Sequence, residues 1–165
     1  MRTQTRRFDH DGVELEQYVS LSTSIEGPRP LVLIAHAWRG QDDFARAKAD
    51  GLAALGYVGV AMDMYGRDVH ADDPQEAASL MQPFASDRAY MRERLSANLE
   101  AALEIDEGDP DRVGAIGFCF GGMCVLELAR SGADIAAVTS FHGMLDTDMP
   151  AEKGAVKASI LVCHG

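Results

Sequence analysis

Residues Gly114–Gly132 read GAIGFCFGGMCVLELARSG, and the interpretation of the whole chain follows from this stretch. An apolar run ends at Phe118, a cysteine follows, and Gly121-Gly122 open a segment with helical patterning that Gly132 closes. Gly117-Phe118-Cys119-Phe120-Gly121 has the G-x-S-x-G spacing of a nucleophile elbow, with Cys in place of Ser. Its flanks supply the strand before and the helix after that such an elbow needs. The glycines have a physical reason. A nucleophile on a tight strand-to-helix turn needs neighbours without Cβ, so that strand and helix can approach closely. The helix start also turns free N–H groups and the positive end of the helix dipole toward the sulfur, the setting in which a thiolate serves as a nucleophile. Cys119 is therefore the expected nucleophile. Cys124, inside the helix, and Cys163, inside an apolar strand, are expected to be buried structural thiols.

Working outward, apolar runs alternate with helix-patterned segments. Leu31–Ala37, Tyr57–Met62, Val113–Phe118, Ile135–Phe141 and Ile160–Cys163 read as strands buried on both faces. Asp42 or Asp43 can cap a helix whose apolar positions are Phe44, Ala47, Gly51, Leu52 and Leu55, with Gly56 as the stop. A short helix is expected from Pro74, with the acidic residues around it as a solvated helix start. Asp87 can cap a longer helix with Met91, Leu95, Leu99, Ala102 and Leu103 as its buried stripe, ended by Gly108 and Pro110. Ahead of these, TRRF and VELEQYVSL read as two strands joined at Asp11-Gly12, a hairpin signal. The pattern predicts an α/β fold: one mostly parallel open sheet, helices on both faces, and an antiparallel hairpin at one edge, in a single domain over 1–165. Functional groups in such sheets gather at the carboxyl ends of strands, which puts His36, Asp63, Cys119, His142 and His164 on one rim.

Composition limits the function classes. Fifteen Lys and Arg against 26 Asp and Glu give a net charge of -11, the wrong sign for nucleic acid or an anionic membrane surface. No apolar run reaches the ~18–20 residues that span a bilayer, and MRTQTRRFDHDG carries no apolar segment of a secretory signal. Three cysteines, without paired spacing, are not a disulfide framework and point to a reducing cytoplasm. Neither Cys-x-x-Cys nor His-x-x-x-His occurs, so no metal site and no cofactor are expected.

GFCFGG, HAWRGQDD, GYVGVAMDMYG, SFHG and ILVCHG, in this order, resemble the motifs of the dienelactone hydrolase family of the α/β-hydrolase superfamily, over roughly Leu31–Gly165. The resemblance implies hydrolysis of a small-molecule carboxylic ester or lactone, with a cysteine of a Cys-His-Asp triad forming an acyl-enzyme. By position it implies an oxyanion hole from the N–H of Phe120 and that of Trp38, in the loop after the LVLIAHA strand. Arg39, beside that loop, and Tyr65 and His142 on the rim are the candidate substrate contacts. Arg67, Arg88 and Arg92 are read as solvated.

The sequence departs from the family in two places. Ala37 stands where many members carry Glu, so the thiol lacks that neighbouring carboxylate. The family's triad acid and histidine follow the strand corresponding to ILVCHG, and no residue here matches either. The expected fold is thus an α/β-hydrolase sheet incomplete at its C-terminal end, with an apolar edge at ASILVCHG. Three expectations answer that edge: a fragment of a longer ester hydrolase, a homodimer pairing through it, or a truncated, degenerate homologue whose role is binding or assembly.

Overall fold

A computed structural model of the chain describes residues 1–164; Gly165, the last residue of the ILVCHG motif, lies outside the described residues. Seven strands and four helices alternate: β1 (Arg2–His10), β2 (Val13–Leu21), β3 (Arg29–Ala35), α1 (Asp43–Ala54), β4 (Val58–Ala61), α2 (Pro74–Ser86), α3 (Arg88–Leu103), β5 (Gly108–Phe118), α4 (Phe120–Arg130), β6 (Ala137–Phe141) and β7 (Ser159–Cys163). They form one sheet in the order β1-β2-β4-β3-β5-β6-β7. Five neighbouring strands, β4-β3-β5-β6-β7, run parallel, and the β1–β2 hairpin adds the expected antiparallel edge, β2 pairing antiparallel with β4 and β1 with β2. Its turn holds Asp11 and Gly12 at positive φ, 56° and 72°, the conformation that a tight hairpin turn demands.

Strand order reverses at β3. From β3 the chain crosses to β4 on one side, then returns to β5 on the other. Right-handed crossovers in opposite directions place their helices on opposite faces. Accordingly α1 packs against one face with Ile34 and Ala61, while α2, α3 and α4 share the other with Leu33, Val60, Val113 and Val138. Helices do lie on both faces, but three to one. The carboxyl ends of β3 and β5 meet at this reversal, the place where such sheets bind ligands.

Two helix readings need correction. The buried face of α1 is Ala45, Ala49 and Ala53, whereas Phe44 and Leu55 are exposed. The reason is close approach: a Cβ on Gly59 of β4 would lie 2.4 Å from the Ala49 carbonyl oxygen, so only small side chains fit between helix and strand. In α3, capped by Asp87, four of the five expected positions are buried and Leu103 is not. The α2 helix is longer than expected, and Pro110 lies within β5 rather than in a loop.

A third correction concerns β7. Its residues were expected to be buried, and all five are exposed, Cys163 included. Only β6 pairs with β7 among the described residues, and no helix of those residues covers either face there. Among the described residues β7 is the outer, apolar strand of the sheet, as expected.

Candidate functional site

Cys119 sits at the junction of β5 and α4 with φ 55° and ψ -114°. A side-chain-bearing residue in that region costs about 1–3 kcal/mol and persists only where its surroundings enforce it. Here the enforcement is visible. The Cys119 N–H donates to Phe141 O of β6 at 2.9 Å, and its carbonyl accepts from Gly122 N at 2.9 Å. A Cβ on Gly117 would stand 1.9 Å from Gly121 O, and one on Gly121 would stand 2.1 Å from Ala35 O. The two glycines therefore let β5, α4 and the end of β3 close on one point. Cys119 remains half-buried there, while Cys124 is fully buried and desolvation pushes its thiol far above the usual range.

Opposite the elbow, β3 runs out into the turn His36–Gly40. Gly40 N donates to Ala37 O at 3.2 Å. His36 is buried, with Nδ1 2.6 Å from Ala37 O and Nε2 3.3 Å from Met64 N. Burial lowers its pKa, so the ring is neutral: Nε2 accepts from Met64 and Nδ1–H donates to Ala37. Tyr65 donates from Oη to Trp38 O at 3.0 Å. Its ring stacks on Phe120 at 5.7 Å and meets His36 edge-on at 4.9 Å. Burial, with the neighbouring Cys124 and Cys119 thiols adding to it, raises the phenol well above its usual range, so it stays a donor. Asp63, also buried, accepts from the N–H groups of Glu16, Tyr65 and Gly66 at 3.1, 3.0 and 2.9 Å and so fixes the turn that carries Tyr65. Neither the Trp38 N–H nor the Phe120 N–H has a protein acceptor among the described residues.

The remaining expected residues are spread more widely. Arg39 is exposed and donates to Asp72 O at 3.1 Å. It lines a polar cleft of about 490 Å³ with Glu16, Arg46, Asp63 and Arg67, a cleft whose lining does not include Cys119. His142, exposed at φ 43°, follows Phe141, which pairs with Phe118, so His142 and Cys119 leave neighbouring strands at the same level. His164 leaves β7 one strand further on. Arg88 and Arg92 are not solvated: they converge with Arg130 on Glu127 of α4, itself fully buried. Glu127 accepts from Arg92 at 2.7 and 2.9 Å and from Arg130 at 2.8 Å, and the same arginines reach Met149 O and Leu145 O. Sequence reasoning missed this cluster and the role of His36; the one available signal for His36 was a histidine directly after a buried strand. Among the described residues no group of three His, Cys, Asp or Glu side chains is placed to hold a metal ion, and no helix is long and apolar enough to cross a membrane.

Known proteins resemble the chain in sequence and in fold. The family model described as "Dienelactone hydrolase family" matches residues 15–165. Carboxymethylenebutenolidase of Pseudomonas putida is 27% identical over 133 residues, 74% of this chain and 56% of that protein. A putative carboxymethylenebutenolidase of Synechocystis is 25% identical over 149 residues, 87% of this chain and 59% of that protein. The chain thus spans a little over half the length of these curated relatives. Among solved structures, a dienelactone hydrolase-like promiscuous phosphotriesterase from metagenomic libraries superposes with a TM-score of 0.94 at 36% identity, covering 99% of this chain and 68% of that one. Elbow, strand order and family match converge: the chain belongs to the dienelactone hydrolase family and has its α/β-hydrolase fold.

Proposed function

We propose that this chain carries the nucleophile and oxyanion hole of a cysteine-dependent hydrolase of carboxylic esters or lactones. One observation carries the reading: Cys119 is held at φ 55° between β5 and α4, beside the N–H of Phe120, where the end of β3 that leads into the Trp38 turn closes on Gly121. In the proposed reaction the Cys119 thiolate adds to the acyl carbon. The carbonyl π electrons move onto oxygen, where the N–H groups of Phe120 and Trp38 receive the charge. Collapse of that intermediate re-forms the carbonyl and breaks the C–O bond to the leaving alkoxide, which takes up a proton. A thioester on Cys119 remains. Water then adds to the thioester, the carboxylic acid departs, and the thiol is restored. The thiol must lose a proton first and water must lose one later, both needing a base. His142, one strand away at the same level, is such a group on the rim and, with Arg39, a candidate for substrate contact. The three free cysteines suit a reducing cytoplasm, and the net charge of -11 disfavours nucleic acid and anionic membranes as partners.

The test is release of nitrophenolate from a 4-nitrophenyl ester by the chain and by Cys119→Ala. Release that depends on Cys119 supports the reading. Release that survives Cys119→Ala, or none from either protein, contradicts it and leaves the competing one, a binding or assembly domain with an idle elbow. A neutral aryl phosphate triester is the second electrophile to assay, given the phosphotriesterase relative.

A further inference from the structure

The peptide joining Ala37 to Trp38 carries a carbonyl at one side and the Trp38 N–H at the other. A trans peptide is planar, so fixing the carbonyl fixes the direction of the N–H opposite. Two donors hold that carbonyl: His36 Nδ1 at 2.6 Å and Gly40 N at 3.2 Å. The next peptide is held as well, because Tyr65 Oη donates to Trp38 O at 3.0 Å. The Trp38 N–H is therefore bracketed by bonds to the carbonyls on both sides of it, and is itself left without a protein acceptor among the described residues. Each clamp is anchored in turn. His36 Nε2 accepts from Met64 N, and the Asp63 carboxylate grips the N–H of Tyr65. Both rings pack on Phe120, the residue whose own N–H is the second free donor, with centroids at 6.1 and 5.7 Å.

We propose that Tyr65, together with His36, is a positioning residue that aims the Trp38 N–H at the oxyanion, rather than a residue that contacts substrate. The inference rests on the reading of Cys119 as an acylated nucleophile. It adds a specific consequence: the Tyr65 hydroxyl matters for reactions that build negative charge on a carbonyl oxygen, and not for reactions of the same sulfur that build none. Ester acylation is of the first kind. Alkylation by iodoacetamide, a displacement at saturated carbon, is of the second.

The experiment compares the chain with Tyr65→Phe, which keeps the ring and its stacking and removes one oxygen. Two rates are measured at Cys119, each resolved by peptide mapping: acetylation by 4-nitrophenyl acetate and alkylation by iodoacetamide. Outright loss of an oxyanion donor costs on the order of 10²–10³ in rate, so loosening one should slow acetylation by roughly tenfold while alkylation stays within about twofold. An unchanged acetylation rate overturns the proposal. So does an equal fall in both rates, which would assign Tyr65 a general role in holding the elbow. If the unsubstituted chain shows no acetylation at Cys119, the nucleophile reading fails first and this inference falls with it. That outcome is told apart from the others because it appears before any substitution is made. Tyr65→Gln, which keeps a polar side chain but neither ring nor phenol, is the second variant: slowed acetylation with normal alkylation supports the proposal, and parallel loss of both rates with Tyr65→Phe unaffected overturns it.

Discussion

The β5–α4 junction and strand β7 lie two strands apart in one sheet, and both read in the sequence as apolar. At the junction, a single added Cβ meets backbone within about 2 Å, and every element nearby converges on Cys119. In β7, Ile160, Leu161 and Val162 are 46%, 58% and 39% exposed, and one strand pairs with them. The opposite edge of the sheet sharpens the contrast. Strand β1 is also an edge, but it carries Arg2, Arg6 and Arg7 in ion pairs with Glu107, Glu104 and Glu16. Charges on an edge discourage pairing with another chain, and β7 has none. Apolarity alone therefore says little about packing: the junction is fixed by what it touches, and β7 touches little.

The largest expected effect breaks the junction. Gly121→Ala places a methyl group 2.1 Å from the Ala35 carbonyl oxygen and 2.7 Å from that of His36, backbone atoms with no flexible side chain to yield. The loss should be about 4 kcal/mol or more, the range reserved for severe core faults. Chemical denaturation checks it, and a loss under about 1 kcal/mol would show the junction to be far softer than its geometry implies.

A smaller effect is expected where α4 is tied to α3. Glu127→Ala removes a fully buried carboxylate and strands the buried Arg88 and the half-buried Arg92. Breaking a buried ion pair from one side costs about 3–5 kcal/mol, much of it from the charge left behind. Arg130, more exposed, can turn to water, so the lower end of that range is expected here. A near-neutral result would mean that the cluster is already hydrated.

The smallest effect on stability belongs to β7. Leu161→Lys replaces a side chain already 58% exposed and should change stability by no more than about 0.5 kcal/mol. It adds the charge that β1 has and β7 lacks, so any concentration-dependent association seen by sedimentation should weaken. Stability lost on the scale of the junction variants would show that β7 is held by contacts outside the described residues.

The contrast also explains what could be read from the sequence. The order of strands and helices along the chain, the hairpin, a cap at Asp42 or Asp43, a helix start at Pro74, the Asp87 cap and the strand-to-helix turn at Cys119 were legible, because each is a local signal with a local cause. The face of α1 was not, because Ala45, Ala49 and Ala53 are buried by the closeness of Gly59, a residue outside the helix. Nor was the exposure of Cys163, since an apolar run does not reveal whether a neighbour covers it. The bonds of His36 and Tyr65 to the Trp38 turn, and the convergence of Arg88, Arg92 and Arg130 on Glu127, join residues far apart in the chain and have no sequence period to betray them.

In the proposed reaction, geometry at the junction rather than exposure makes the thiol reactive. Cys119 is only half-buried in a strained turn, Cys163 is exposed on β7, and the two compete for the same reagent in one molecule. The most direct measurement is brief treatment of the folded chain with 4-nitrophenyl acetate, followed by peptide mapping of the acetyl group. Acetyl is expected on the peptide containing Cys119, approaching about one equivalent before Cys163 is appreciably modified, as befits an activated nucleophile. Acetyl on Cys163 first, with Cys119 untouched, would contradict it.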